Sequence, residues 1–105
     1  RKEICHGIHA QEGRRTAVLC ISDMYAVAVL EICKQEGLNV PQDVGIMGYD
    51  NMEMLQYITP RIYSVGYDVH LLGHQLITSL LEQMRSDQLQ RDGILDYRFM
   101  EGESL

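Results

Sequence analysis

Cations are scarce in this 105-residue chain: nine Lys and Arg stand against fifteen Asp and Glu, for a net charge of −6. A domain that grips phosphate needs a basic face, so this balance excludes nucleic-acid binding by the chain itself. The deficit is sharpest in the middle, where residues 16–60 carry one cation, Lys34, against six anions. Long apolar runs are missing as well. Every stretch is interrupted within a few residues, so no segment reads as membrane-spanning. The three cysteines, Cys5, Cys20 and Cys33, are odd in number and show no C-x-x-C spacing. That argues against a disulfide framework and for reduced thiols in a cytoplasmic setting. The chain has no P-loop, no G-x-G-x-x-G and no G-x-S-x-G elbow, so no cofactor is expected. Ser64 and Ser79 lack a neighbouring His that could serve as base, so no enzyme is expected. No secretory leader is visible, and the sequence starts at Arg1, which reads as a fragment.

What is present is an alternation of strand-like and helix-like segments. Residues 3–12 place Ile4 and Ile8 four apart, a weak helical stripe interrupted by Gly7. Ala17 to Ile21 is a continuous apolar run of strand length, which suits a strand buried on both faces. Ser22 or Asp23 then caps a helix from Met24 to Glu36, with Ala26, Val29, Leu30 and Cys33 on one face and Gly37 as the stop. Pro41 opens a turn, and Val44 to Gly48 reads as a second buried strand. The strand–helix–strand unit has the size of a βαβ crossover. Residues 49–61 form a polar and aromatic loop with a short helical turn. Ile62 to Tyr67 forms a third strand, and Asp68 caps a helix from Val69 to Arg85. That helix carries the stripe Val69, Leu72, Leu76, Leu80 and Met84. A polar loop over 86–93 leads to alternating Leu95, Tyr97 and Phe99, a half-exposed strand. The fold class is α/β, a layered fold on a parallel sheet.

In such sheets ligands bind beyond the carboxyl ends of strands. That rule selects Ser22-Asp23 and Tyr49-Asp50-Asn51. A carboxylate there can accept two hydroxyl donors from a sugar or a nucleoside diol. The plain alternatives are an N-cap for Asp23 and a turn carboxylate for Asp50. His70 and His74 have metal-ligand spacing, and His6 and His9 flank Cys5, but neither pair completes a ligand set. No metal site is expected.

A resemblance rests on Thr16-Ala17-Val18, Ser22-Asp23, the turn Glu36-Gly37-Leu38-Asn39-Val40-Pro41-Gln42-Asp43-Val44, and Gly45-Ile46-Met47-Gly48-Tyr49-Asp50-Asn51. Thr59-Pro60 and Leu72-Gly73 continue it. From Thr16 to Gln83 the chain resembles the lactose/galactose-repressor family of bacterial transcription regulators. The resemblance implies a periplasmic-binding-protein-like (type I) core that closes on a small effector, here a partial core. It implies that residues 1–105 are a C-terminal fragment of the effector-binding domain, without the helix-turn-helix domain and the upstream core. The implied function is sensing of a small molecule, a sugar or related polyol or nucleoside, and dimerisation within a DNA-binding repressor. DNA would be bound only through the missing N-terminal domain. Carried over by position, Ser22, Asp50 and Val69 are effector contacts, and Val27 and Ile58 lie at a dimer interface. Val69 stands where relatives often have an aromatic residue, Ile62-Tyr63-Ser64 replaces a common Leu-Thr-Thr, and Ser22 replaces an Asn seen in some sugar responders. The long helix would pack on the missing half, so its apolar stripe implies a dimer or higher oligomer of the fragment. A solute-binding protein for sugar uptake is the alternative, and an α/β enzyme fragment a weaker one.

Overall fold

The structure is a computed structural model that describes residues 13–86 and 93–105. The helical stripe expected over 3–12, with Cys5, His6 and His9, lies outside the described residues, as does most of the loop over 86–93.

Among the described residues four strands and two α-helices alternate: β1 (Thr16–Leu19), α1 (Asp23–Gln35), β2 (Val44–Met47), a 3-10 helix (Glu53–Tyr57), β3 (Ser64–Tyr67), α2 (Val69–Arg85) and β4 (Tyr97–Met100). The chain divides into two compact units, one of residues 1–66 and 99–105 and one of residues 67–98.

In the first unit β1 and β2 run parallel in the register Thr16↔Val44 to Leu19↔Met47, joined by α1 as a βαβ crossover. Met47 forms a parallel bridge to Tyr63, which extends the pairing to the segment entering β3. Val44 and Ile46, fully buried on β2, meet Ala26, Val29, Leu30 and Cys33 of α1. Leu55 and Ile62 join the same cluster, and Val27 and Ile58 pack against it as partly buried neighbours. This is the apolar face of α1 read from its spacing. Helix α1 starts where Ser22 Oγ accepts the Met24 N–H at 3.3 Å, so of the two candidate caps Ser22 is the cap. It stops at Gly37, whose φ of +72° supplies the left-handed step after the helix. Leu38 N–H closes on Cys33 O at 2.9 Å.

One burial expectation fails. Ala17 and Leu19 are exposed, Leu19 to 74%. Alternate residues of β1 face opposite sides, and among the described residues α1 covers one side only. The chain end is woven into the same sheet. Ser104 Oγ donates to Ile46 O at 2.6 Å and accepts the Tyr63 N–H at 2.8 Å, and Ile46 N–H donates to Ser104 O at 2.6 Å.

The second unit holds α2. Asp68 caps it as expected, Oδ1 accepting the Leu71 N–H at 2.9 Å. The apolar stripe exists, but none of its residues is buried, and Leu72 alone of the stripe is half-buried. Strands β3 and β4 pair in a second, two-stranded sheet.

Candidate functional site

The carboxyl ends of β1 and β2 lie side by side, because the Asp23 N–H donates to Tyr49 O at 2.9 Å. Together with Cys20 N–H to Met47 O at 2.8 Å and Met52 N–H to Asp23 Oδ2, this bond sets the Ser22 segment against the Asp50 segment, the two positions chosen from the strand-end rule. The parallel sheet puts both segments at the same edge.

The Asp50 turn has unusual backbone geometry. Asp50 has φ +102° and Asn51 φ +52°. Asn and Asp tolerate the left-handed region better than other non-glycine residues, yet each such residue costs on the order of 1–3 kcal/mol. Strain of this kind persists only where surrounding contacts over-determine it. Here each of three successive backbone N–H groups has a partner outside the turn. Asp50 N–H donates to Val65 O at 2.8 Å, Asn51 N–H to Ser64 Oγ at 3.1 Å, and Met52 N–H to Asp23 Oδ2 at 2.6 Å. No hydrogen bond among the described residues engages the Asp50 carboxylate, which sits on a half-buried residue. It is therefore not a turn carboxylate closing on its own backbone.

Asp23 behaves differently from Asp50. It is fully buried, and both carboxylate oxygens are committed, Oδ2 to Met52 N–H and Oδ1 to the Ser64 hydroxyl at 2.6 Å. So Asp23 is neither the cap nor a free acceptor for a ligand. Ser64, also fully buried, gives its one proton to Asp23 and takes the Asn51 N–H on its lone pair. Ser64 is fully buried, so its hydroxyl serves this network and is out of reach of a substrate. Gly48 is explained by the same group: a Cβ there would run into Asp23 Oδ1. Gly48 is thus a close-approach glycine.

Ser22 is half-buried, and its Oγ accepts from Met24, which leaves the hydroxyl proton to donate. Val69 belongs to the second unit and is 58% exposed. Val27 and Ile58 are half-buried, with faces turned into the core cluster. His70 and His74 are exposed, and no group of three metal-ligating side chains occurs among the described residues. Burial holds the Cys20 thiol above its ordinary pKa, which fits an inert core cysteine. In the second unit a concavity of about 300 Å³ is lined by Leu72, Gln75, Leu76 and Leu95 among others. It has no convergent charged groups and includes neither Ser22 nor Asp50, so it reads as the uncovered side of an apolar helix rather than a ligand site. No helix among the described residues is long and apolar enough to cross a membrane.

Comparison with known proteins gives a consistent picture. The model of the periplasmic binding protein-like domain matches residues 3–105. The ribose operon repressor of Haemophilus influenzae is 37% identical over 76 residues, 72% of this chain and 23% of that protein. The HTH-type transcriptional repressor PurR of Vibrio campbellii is 32% identical over 84 residues, 80% of this chain and 25% of that protein. The chain thus spans about a quarter of the length of these relatives. Among solved structures, the transcriptional regulator CelR in complex with cellobiose superposes with a TM-score of 0.77 at 27% identity, over 84% of this chain and 27% of that one. The relatives are transcriptional repressors and not enzymes, in agreement with the sequence reading. The likeness to the lactose/galactose-repressor regulators and the α/β parallel-sheet class both hold.

Proposed function

Because this chain belongs to the periplasmic binding protein-like domain family, we propose that it is the C-terminal part of the effector-binding domain of a cytoplasmic, DNA-binding transcriptional regulator. Its effector is a small polyol, a sugar first of all. The single observation that carries this reading is the Asp50 carboxylate. It accepts no hydrogen bond from any described residue, sits on a strained turn at a strand end, and lies beside the Ser22 segment. A carboxylate accepts two hydroxyl protons, and the Ser22 hydroxyl can donate one. A cellobiose-bound regulator of similar fold supports the sugar class.

The effector acts by binding one closure state of the domain better than the other, which biases the attached DNA-binding domains. The regulator works as a homodimer, with Val27 and Ile58 at the subunit contact, and DNA is held only by the N-terminal domain.

The test is isothermal titration of the intact protein with D-ribose, cellobiose, sugar phosphates and nucleosides. The expected result is micromolar-range binding of one sugar, lost by at least about a hundredfold in Asp50→Ala, since a hydrogen bond to a charged group contributes about 1.5–3 kcal/mol and Asp50 would make two. Full affinity in Asp50→Ala, or binding of nucleosides with no sugar bound at all, would remove this reading.

A further inference from the structure

We propose that Asp23 and Ser64 are positioning residues, a buried latch that fixes the Asp50 turn in the geometry that presents the Asp50 carboxylate. The presentation half rests on the reading that Asp50 contacts the effector; the latch itself rests on geometry alone.

The turn cannot hold itself. Asp50 and Asn51 both occupy the left-handed region, and a short segment with two such residues relaxes unless external contacts oppose it. Of the three N–H groups that hold it, one goes to the backbone of β3 and two go to side chains, Ser64 Oγ and Asp23 Oδ2. Those two side chains are themselves joined at 2.6 Å. The chain of donors has only one consistent direction. A carboxylate can only accept, so Ser64 must donate to Asp23, and the serine lone pair is then aimed at Asn51. Both residues are fully buried, where a hydrogen bond to a charged acceptor is stronger than in water and an unmade one costs more. The latch spans three elements: the first residue of α1, the exit of β2 and the first residue of β3. Asp23 is fully buried with both oxygens bonded within the protein, so its effect on binding is exerted through Asp50.

The test uses the intact protein in four forms: wild type, Ser64→Ala, Asp23→Asn and Asp50→Ala. Amide hydrogen exchange is read at Asn51, Met52 and Ile46, and the affinity for D-ribose and cellobiose by titration. Ser64→Ala is the mild variant should Asp23→Asn fold poorly. In both latch variants Asn51 and Met52 exchange about five- to tenfold faster, the loss expected for one hydrogen bond of about 1–1.5 kcal/mol, while Ile46 keeps its protection. Affinity for the bound sugar falls by a similar factor. Unchanged exchange at Asn51 and Met52 overturns the latch, as does a uniform rise at all three amides, which would mark a general loss of stability. Local acceleration with wild-type sugar affinity overturns the positioning role. Full affinity in Asp50→Ala strikes the sugar-site reading instead, and the exchange data then decide the latch without any ligand.

Discussion

Gly48→Ala is a one-carbon change whose cost follows from a single contact. The new Cβ would meet Asp23 Oδ1 and lie 3.2 Å from both Cα and Cγ of Asp23. The backbone of Gly48 is not in the left-handed region, so conformational strain adds nothing and the cost comes from the contact. Two escapes are open. The Asp23 carboxylate can swing away, which strands the Met52 N–H and the Ser64 O–H at about 1–3 kcal/mol each. Alternatively the exit of β2 shifts, an overpacking response that costs about 1–3 kcal/mol. The cheaper route wins, so the expected loss is about 1–3 kcal/mol. The chain has no Trp and six Tyr, so circular dichroism with tyrosine emission is the natural readout of urea unfolding. With a slope of about 1–3 kcal/mol per molar urea, the midpoint should fall by roughly 1–2 M. The mechanism is isolated by repeating the change in an Asp23→Ser background, where the obstructing oxygen is gone. There Gly48→Ala should cost at least about 1 kcal/mol less. A loss below about 0.5 kcal/mol in the native background, or the same loss in both, would refute the reasoning.

Two further outcomes are expected. Leu30→Ala removes a side chain only 1% exposed at the centre of the core and should cost about 2–5 kcal/mol, whereas Tyr57→Ala, 80% exposed, should stay within about 0.5 kcal/mol in the same urea titration. Burial raises the Cys20 pKa in the folded state above its unfolded value, so the folded form holds that proton more tightly. The resulting stability is present below the unfolded thiol pKa and is lost as pH rises through the folded value. Cys20→Ala should therefore flatten part of the alkaline decline in stability, and at pH 8 iodoacetamide should label Cys20 in the native protein far more slowly than in urea.

The local features were legible in the sequence. The apolar spacing of α1, the Gly37 stop, the Asp68 cap and the alternating βα order depend on neighbours a few residues apart, and each is found. The strand-end rule also selected the Ser22 and Asp50 segments, and these lie at one edge. What periodicity could not reveal is which sides are covered. The run over 17–21 and the stripe of α2 are apolar enough for burial, yet Leu19, Leu76 and Met84 are exposed. The latch was illegible for another reason. Asp23 and Ser64 are 41 residues apart, and in isolation one looks like a cap and the other like an unremarkable serine. Gly48 was the available signal, since a glycine at a strand end asks what approaches it. The sequence alone does not say that the answer is a carboxylate two elements earlier.

That answer changes how the Gly-Tyr-Asp string should be treated by anyone who wishes to redirect the protein to a new effector. Gly48 is the footprint of Asp23, not a free hinge, so a side chain at Gly48 is tolerated only where the Asp23 acid is gone. Relatives with a side chain at the position of Gly48 should have lost the acid at that of Asp23. On the proposed reading that Asp50 and Ser22 contact the effector, a combinatorial library that randomises them should hold Asp23, Gly48 and Ser64 constant. Otherwise most of its members would fail through a collapsed turn rather than through a poor fit to the new ligand.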